Sequence, residues 1–423
     1  MGQVLSNAWA LLLGMMLLMV GNGLQGTLLG VRGEIEGFTT LQMSFVMSGY
    51  FVGFLGGSRI APDLIRRVGH VRVFAALASL ISAVMILYPA LTDPTAWFIG
   101  RVIIGFCFSG VYVTAESWLN NAADNENRGK ALSAYMIVMM VGIVSSQGLL
   151  LVGDPSGYEQ FVIASVLISI SFAPTLLSVS PTPAFETTQP MSLRTLFNFS
   201  PLGCVGMFLL GGVFACMFGM SAVYASRVGL ELVEISTFVA TFYIGALILQ
   251  YPLGWLSDRI DRRLLIMVVS AVGGVGATLG FFLGGNYYLL LAAAFLIGGM
   301  SNPLYSLLIA YTNDYLQHDD MAAASGGLVF INGLGAIAGP LITGWLMGDS
   351  VFGPPGFFLF IAMLLLVLVA YGAYRMTQRA ATPVEETGTM TPIMATGTAV
   401  AVEFAQEYAI DADLEEQEAE KAA

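Results

Sequence analysis

The sequence predicts an all-α membrane protein of twelve transmembrane helices, arranged as two pseudo-symmetric six-helix halves. Three observations predict it. The chain is 57% hydrophobic and only 10% charged, against about 25% charged in an ordinary soluble domain. Its apolar residues come in long blocks, such as WALLLGMMLLMVGNGLQGTLLG (9–30) and FFLFIAMLLLVLVAYGAY (357–374). A helix needs about 20 such residues to cross the hydrocarbon core, and continuous blocks indicate helices where barrel strands would alternate. Basic residues, finally, fall in every second connection.

In chain order the spans are expected at 8–30, 41–62, 71–91, 95–120, 131–153 and 159–179, then 201–224, 233–256, 263–284, 286–314, 321–347 and 355–376. The first block lacks a basic leader and a clear cleavage site, so it reads as a retained helix. Between the sixth and seventh spans lies SPTPAFETTQPMSLRTLFNFSP, the longest polar, proline-containing connector between two spans. It divides the chain into a first half (1–180), a cytoplasmic linker (181–200) and a second half (201–376). Residues 377–423 follow the last span, and 403–420 carry eight acids. A tail of that composition is expected to be disordered and solvated.

Orientation follows from lysine and arginine. Arg59, Arg66, Arg67, Arg72, Arg128, Lys130, Arg194, Arg259, Arg262, Arg263, Arg375, Arg379 and Lys421 fall after even-numbered spans, whereas the opposite loops hold Arg32 and Arg227. That bias places both termini of a multi-pass protein in the cytoplasm. The formal charge of −12 owes much to the tail and gives no support for nucleic-acid binding.

Enzyme chemistry finds little to stand on. Cys107, Cys204 and Cys216 lie in apolar helix without metal-ligand spacing and read as small buried hydrophobes. His70 and His318 are the chain's two histidines. No phosphate loop, nucleophile elbow or zinc motif occurs, and neither a cofactor nor a metal is expected.

The halves repeat weakly. Gly69 after span 2 corresponds to Asp261 after span 8 at an offset of 192, and Asn120 to Asp314 at 194. Weak internal repetition marks a large transporter class. GWLSDRIDRR (254–263) resembles the cytoplasmic-loop signature of the major facilitator superfamily, with Gly254, Asp258, Arg259, Arg262 and Arg263 matching and Asp261 in place of a glycine. The first-half copy keeps Arg67 and Gly69, with Arg66 where the acid would stand. RVIIGFCFSG (101–110) is similar to the family's Arg-x-x-x-Gly helix, and Arg128-Gly129 to its Arg-Gly after span 4. AESWLN (115–120) further resembles a YcaD-like branch of bacterial permeases. The resemblance covers 1–376 and implies the superfamily's fold and a cytoplasmic gate built from Arg66, Arg67, Gly69, Arg128, Gly254, Asp258, Arg259, Arg262, Arg263 and Asp314.

Span 4 carries the candidate site. At 100° per residue Arg101, Gly105, Ser109, Tyr112 and Glu116 share one face, and Arg101 and Glu116 are about 22 Å apart along the axis. A mid-membrane charge costs about 3 kcal/mol on insertion scales, so each needs a partner or a wet cavity. Glu116 reads either as a gate or interface residue or as a solute or proton site; Arg101 reads as a translocation residue or a structural partner. Asn22 and Gln25 in span 1, Asn302, Tyr305 and Ser306 in span 10 and Asn332 in span 11 extend the cavity lining. Asn and Gln also cross-link membrane helices for about 0.6 kcal/mol each. Trp118 is expected at the membrane interface.

The expected function is a secondary active transporter, monomeric in the lipid bilayer, moving a small solute by alternating access. A proton or other ion would drive it, with Glu116 the first carrier and Asp314 the second. The alternative is a transport-incompetent sensor or scaffold.

Overall fold

The computed structural model describes residues 2–122, 128–177, 191–379, 383, 387–388, 390–394 and 397–422; side chains at 2–7, 121–122, 128, 318–319 and 411–422 lie outside the description. The first half comprises α1 (Gly2–Ile35), α2 (Thr40–Val68), α3 (His70–Ala90), α4 (Pro94–Ala122) and α5 (Arg128–Leu149). Its sixth span is broken into α6 (Glu159–Ser171) and α7 (Ala173–Leu177). A short helix, α8 (Leu193–Phe199), leads into the second half. There α9 (Pro201–Ala215) passes through a π-helical turn, Cys216–Met220, into α10 (Ser221–Arg227). The rest are α11 (Leu232–Ser257), α12 (Arg262–Leu283), α13 (Tyr287–Asn313), α14 (His318–Leu346) and α15 (Gly356–Met376), and α16 (Ala399–Ala422) closes the chain.

Helix limits follow local chemistry. Thr39 and Gln42 form a reciprocal capping box at the start of α2, satisfying amides that the first turn leaves open. Gly69 turns the chain from α2 into α3 at φ +84°, a conformation that favours glycine. Ser200 caps α9, with Pro201 in its first turn. Apart from α1 and the far end of α2, which run five to six residues further, the membrane-length helices lie close to the expected spans. Among the described residues eleven helices are long and apolar enough to cross a membrane. The remaining expected span, α2, is diluted by Arg59, Asp63, Arg66 and Arg67 in its last third.

Packing repeats between halves. In the first, α2 packs on α4, α1 on α5 and α6, and α3 on α4 and α6; in the second, α11 packs on α13, α9 on α14 and α15, and α12 on α13 and α15. The tightest crossings are glycine contacts. A Cβ on Gly105 would stand 1.9 Å from the Tyr50 carbonyl oxygen, and one on Gly298 would stand 2.1 Å from that of Phe242. Small residues there let two backbones meet.

The halves meet through α2 with α14, α5 with α11, and α1 with α10. At the end poor in arginine the contacts are direct: Arg227 Nε lies 3.0 Å from a Glu34 oxygen, and Ser236 Oγ donates to the Gln147 carbonyl at 2.6 Å.

The C-terminal region departs from the expected disordered tail. Its helix α16 packs on α4, α5 and α14, and Met390, Ile393, Met394, Ala401, Val402, Phe404 and Ala405 are buried. The reason is local composition: the acids lie mostly beyond residue 406, whereas 390–405 is apolar enough to bury.

Candidate functional site between the two halves

Two polar clusters flank the seam, one deep in the first half and one towards the arginine-rich end. In the deep cluster Arg101 of α4 donates from Nη1 to Gln25 Oε1 of α1 at 2.8 Å and lies over the Tyr50 ring of α2, 4.8 Å from its centroid. Gln25 Nε2 lies 3.5 Å from the Tyr88 hydroxyl of α3. One turn earlier on α1, Asn22 Nδ2 donates to the Tyr112 hydroxyl at 3.2 Å. Arg101 is 4% exposed and its Nε has no hydrogen-bond partner; among the described residues it makes no ion pair. Its charge rests on one amide oxygen and the face of a tyrosine, a cation–π contact strengthened by desolvation.

The second cluster gathers around Glu116, 2% exposed. Tyr135 of α5 donates its hydroxyl to Oε1 at 3.3 Å, and Thr398 donates its amide to Oε2 at 3.2 Å and its hydroxyl to the same atom. From the second half, Ser306 Oγ accepts the Ile393 amide at 2.8 Å, and the Tyr305 hydroxyl donates to the Gly397 carbonyl at 3.5 Å. Gln250 Nε2 reaches Ser306 Oγ at 3.3 Å. Glu116, Tyr305 and Ser306 are thus brought to one place, but through the C-terminal segment, not through each other.

Not every candidate joins a cluster. Asn332 donates to the Met207 carbonyl at 2.9 Å, tying α14 to α9. Asn302 is buried with its Nδ2 unpartnered. Trp118, expected to face the membrane interface, is buried against His70, whose Nε2 lies 3.0 Å from Ser117 Oγ.

The gate residues separate into two sets. Arg262, buried, is ion-paired with Asp314, lies 3.4 Å from Asp258, and donates to the Gly388 carbonyl. Asp258 accepts the Met390 amide at 2.9 Å, and Gly254 lies under the Met390 sulfur. Burial pushes the Asp314 carboxyl up to about 6, against the opposing pull of Arg262. Arg263 donates to the Arg379 carbonyl at 2.6 Å, and Arg259 lies over the Trp255 ring. In the first half Arg66 pairs with Asp63 on its own helix at 2.7 Å, Arg67 is exposed, and Gly69 makes the turn described above. The Arg128 side chain lies outside the described residues.

Sequence reasoning missed Tyr50, Tyr88, Tyr135, Gln250 and the whole C-terminal contribution. Only the last had a local signal, the apolar run MTPIMATGTAVAVEFA (390–405) ahead of the acids.

These helices and their duplicated packing define a polytopic membrane protein built from two similar halves. Residues 11–235 and 202–404 match the model of the Major Facilitator Superfamily, and the chain belongs to that family. It is similar to the uncharacterized MFS-type transporter YcaD of Salmonella arizonae, 26% identical over 341 residues that cover 80% of this chain and 88% of the relative. The YcaD protein of Escherichia fergusonii is 27% identical over 342 residues, with the same coverage. Among solved structures, the nucleoside transporter NupG (D323A mutant) superposes with a TM-score of 0.71 at 15% identity, covering 86% of this chain and 98% of that one. A bacterial homologue of the human lysosomal transporter Spinster, in an inward-facing and unoccupied conformation, gives 0.67 at 14% identity over 97% and 98%. At such identities the likeness is one of fold. The chain is a multi-pass membrane transporter and not an enzyme.

Proposed function

We propose that the chain is a secondary active transporter of the bacterial cytoplasmic membrane, working by alternating access on a small solute. One observation carries this reading. The halves touch directly at the arginine-poor end through Arg227–Glu34 and Ser236–Gln147, whereas Glu116 of one half and Ser306 of the other are separated by interposed chain. Towards the arginine-rich end α2 still meets α14, with Arg59 over the Phe330 ring, but α4 and α13 are held apart by that chain. Halves that meet at one end and separate at the other are what rocking produces. The basic-residue bias supports a cytoplasmic arginine-rich end with both termini inside, so the conformation is inward-facing. Glu116, hydrogen-bonded to Tyr135, is the first carrier of a coupling proton, and Asp314 the second; the working unit is a monomer. The test is reconstitution in proteoliposomes, with solutes chosen by thermal shift and accumulation followed with and without a pH gradient. Accumulation indifferent to the gradient and to uncoupler would refute proton coupling.

A second reading is favoured by the chain lying between the halves: a member that senses or scaffolds and moves nothing. Flux of any solute excludes it.

A further inference from the structure

We propose that the C-terminal segment from Gly388 to Tyr408 is an internal competitor for the solute, occupying the binding surface made by Glu116, Tyr135, Tyr305 and Ser306. The proposal rests on the reading that solute passes between the halves.

Residues 390–394 and 397–398 are not helical. Irregular backbone at membrane depth is tolerated only where it is buried in protein or lines a wet cavity, because lipid offers no hydrogen bonds. Tyr305 lies nine residues into α13 from Asp314, about 13 Å below that helix end. At that depth the segment's backbone finds its partners on side chains. The Ile393 amide and carbonyl go to Ser306 Oγ, the Gly397 carbonyl to Tyr305 and the Thr398 amide to Glu116, while the Met390 amide goes to Asp258 at the end of α11. Both halves contribute, so the segment lies across the seam that must open and close.

Its continuation fastens it. Val402 and Phe404 are fully buried, Gln406 Nε2 donates to Asn313 Oδ1 at 3.1 Å and to Ser325 Oγ at 2.8 Å, and Asn120 Nδ2 lies 3.5 Å from Glu407. The Tyr408 ring packs so closely on Gly129 that a Cβ there would stand 2.4 Å from it.

The covered surface also describes the solute. It presents a carboxylate acceptor near a phenol donor, and a serine hydroxyl that both accepts and donates, within apolar walls. Such a set fits a neutral or cationic molecule carrying an amide-like N–H and carbonyl pair, and repels an anion beside Glu116. The segment satisfies it by offering peptide groups.

The test reads accessibility and needs no identified solute. A thiol is introduced by Gln250→Cys, beside Ser306, and its reaction with N-ethylmaleimide is timed in membranes against the parent chain, whose three cysteines are buried. Adding Val402→Asp and Phe404→Asp should expel the segment and speed labelling about tenfold, the factor expected if the native segment is docked about 90% of the time. A synthetic peptide of residues 388–408 should slow it again. Equal rates with and without the two aspartates overturn the proposal. Independently, Asn313→Cys with Gln406→Cys in a chain with an otherwise native tail should be bridged by a short bis-maleimide that spans the former side-chain contact, and failure to bridge them overturns the docking. Loss of flux with the segment expelled would instead count against the transport reading and leave these labelling results unchanged.

Discussion

Thr398 gives both its backbone amide and its hydroxyl to one oxygen of the Glu116 carboxylate. A residue near the chain's end thereby holds the carboxylate buried in α4, and Tyr135 holds its other oxygen. Glu116→Gln should keep or raise thermal stability, since it removes an insertion cost of about 3 kcal/mol. It should also abolish or uncouple transport, while Glu116→Asp retains part of it. Proteoliposome flux with and without a pH gradient decides; normal gradient-driven accumulation by the glutamine variant would reduce Glu116 to a structural residue.

Arg101 is held by one amide and one aromatic face. These contacts return about 0.6 kcal/mol for the hydrogen bond and about 2 kcal/mol for a desolvated cation–π pair, roughly the insertion cost of about 3 kcal/mol. Arg101→Gln should therefore leave the melting temperature within a few degrees of the parent and remove transport. A large fall in melting temperature would assign the guanidinium to stability.

The glycine crossings should be equally intolerant in both halves. Gly105→Ala and Gly298→Ala each force a Cβ onto a facing carbonyl, and overpacking of this kind costs about 1–3 kcal/mol. Gly56, with open space at its Cβ position, should accept alanine without loss. Thermal melts of the three variants check this, and a neutral Gly298→Ala would break the equivalence of the halves.

Asp314 sets an acid-side trend. Its carboxyl is raised by burial from 3.8 to about 6, so the folded protein binds this proton more tightly than the unfolded chain. The resulting stabilisation is complete below about pH 4 and is lost as pH rises through 6, a span worth on the order of 3 kcal/mol. Melting temperature should fall across that window in the parent, and Asp314→Asn should flatten the profile. An unchanged slope in the variant would place the titration elsewhere.

Much of this was legible because the bilayer imposes it. Span limits follow from apolar length, and the repeat shows again in the structure, where Gly245 and Gly298 stand 192 and 193 residues after Gly53 and Gly105 at the same crossings. Helical periodicity also grouped Arg101, Tyr112 and Glu116 on α4. What periodicity could not supply was the other side of each contact. Tyr50, Tyr88 and Tyr135 come from three different helices, and their pairing depends on how those helices cross. The tail was misread for another reason: eight acids in 403–420 dominate its average and hide the apolar run before them.

The stretch between Met376, where α15 ends, and Met390, which docks on Asp258, is short. A segment on so short a tether meets its site at an effective concentration of roughly millimolar. A solute arriving from the same side then binds only the fraction of molecules whose site is empty, and its apparent affinity drops by that fraction. A tail docked about 90% of the time would raise half-saturation about tenfold. Such a carrier idles while its solute is scarce on that side and runs once it is abundant, as an overflow valve does.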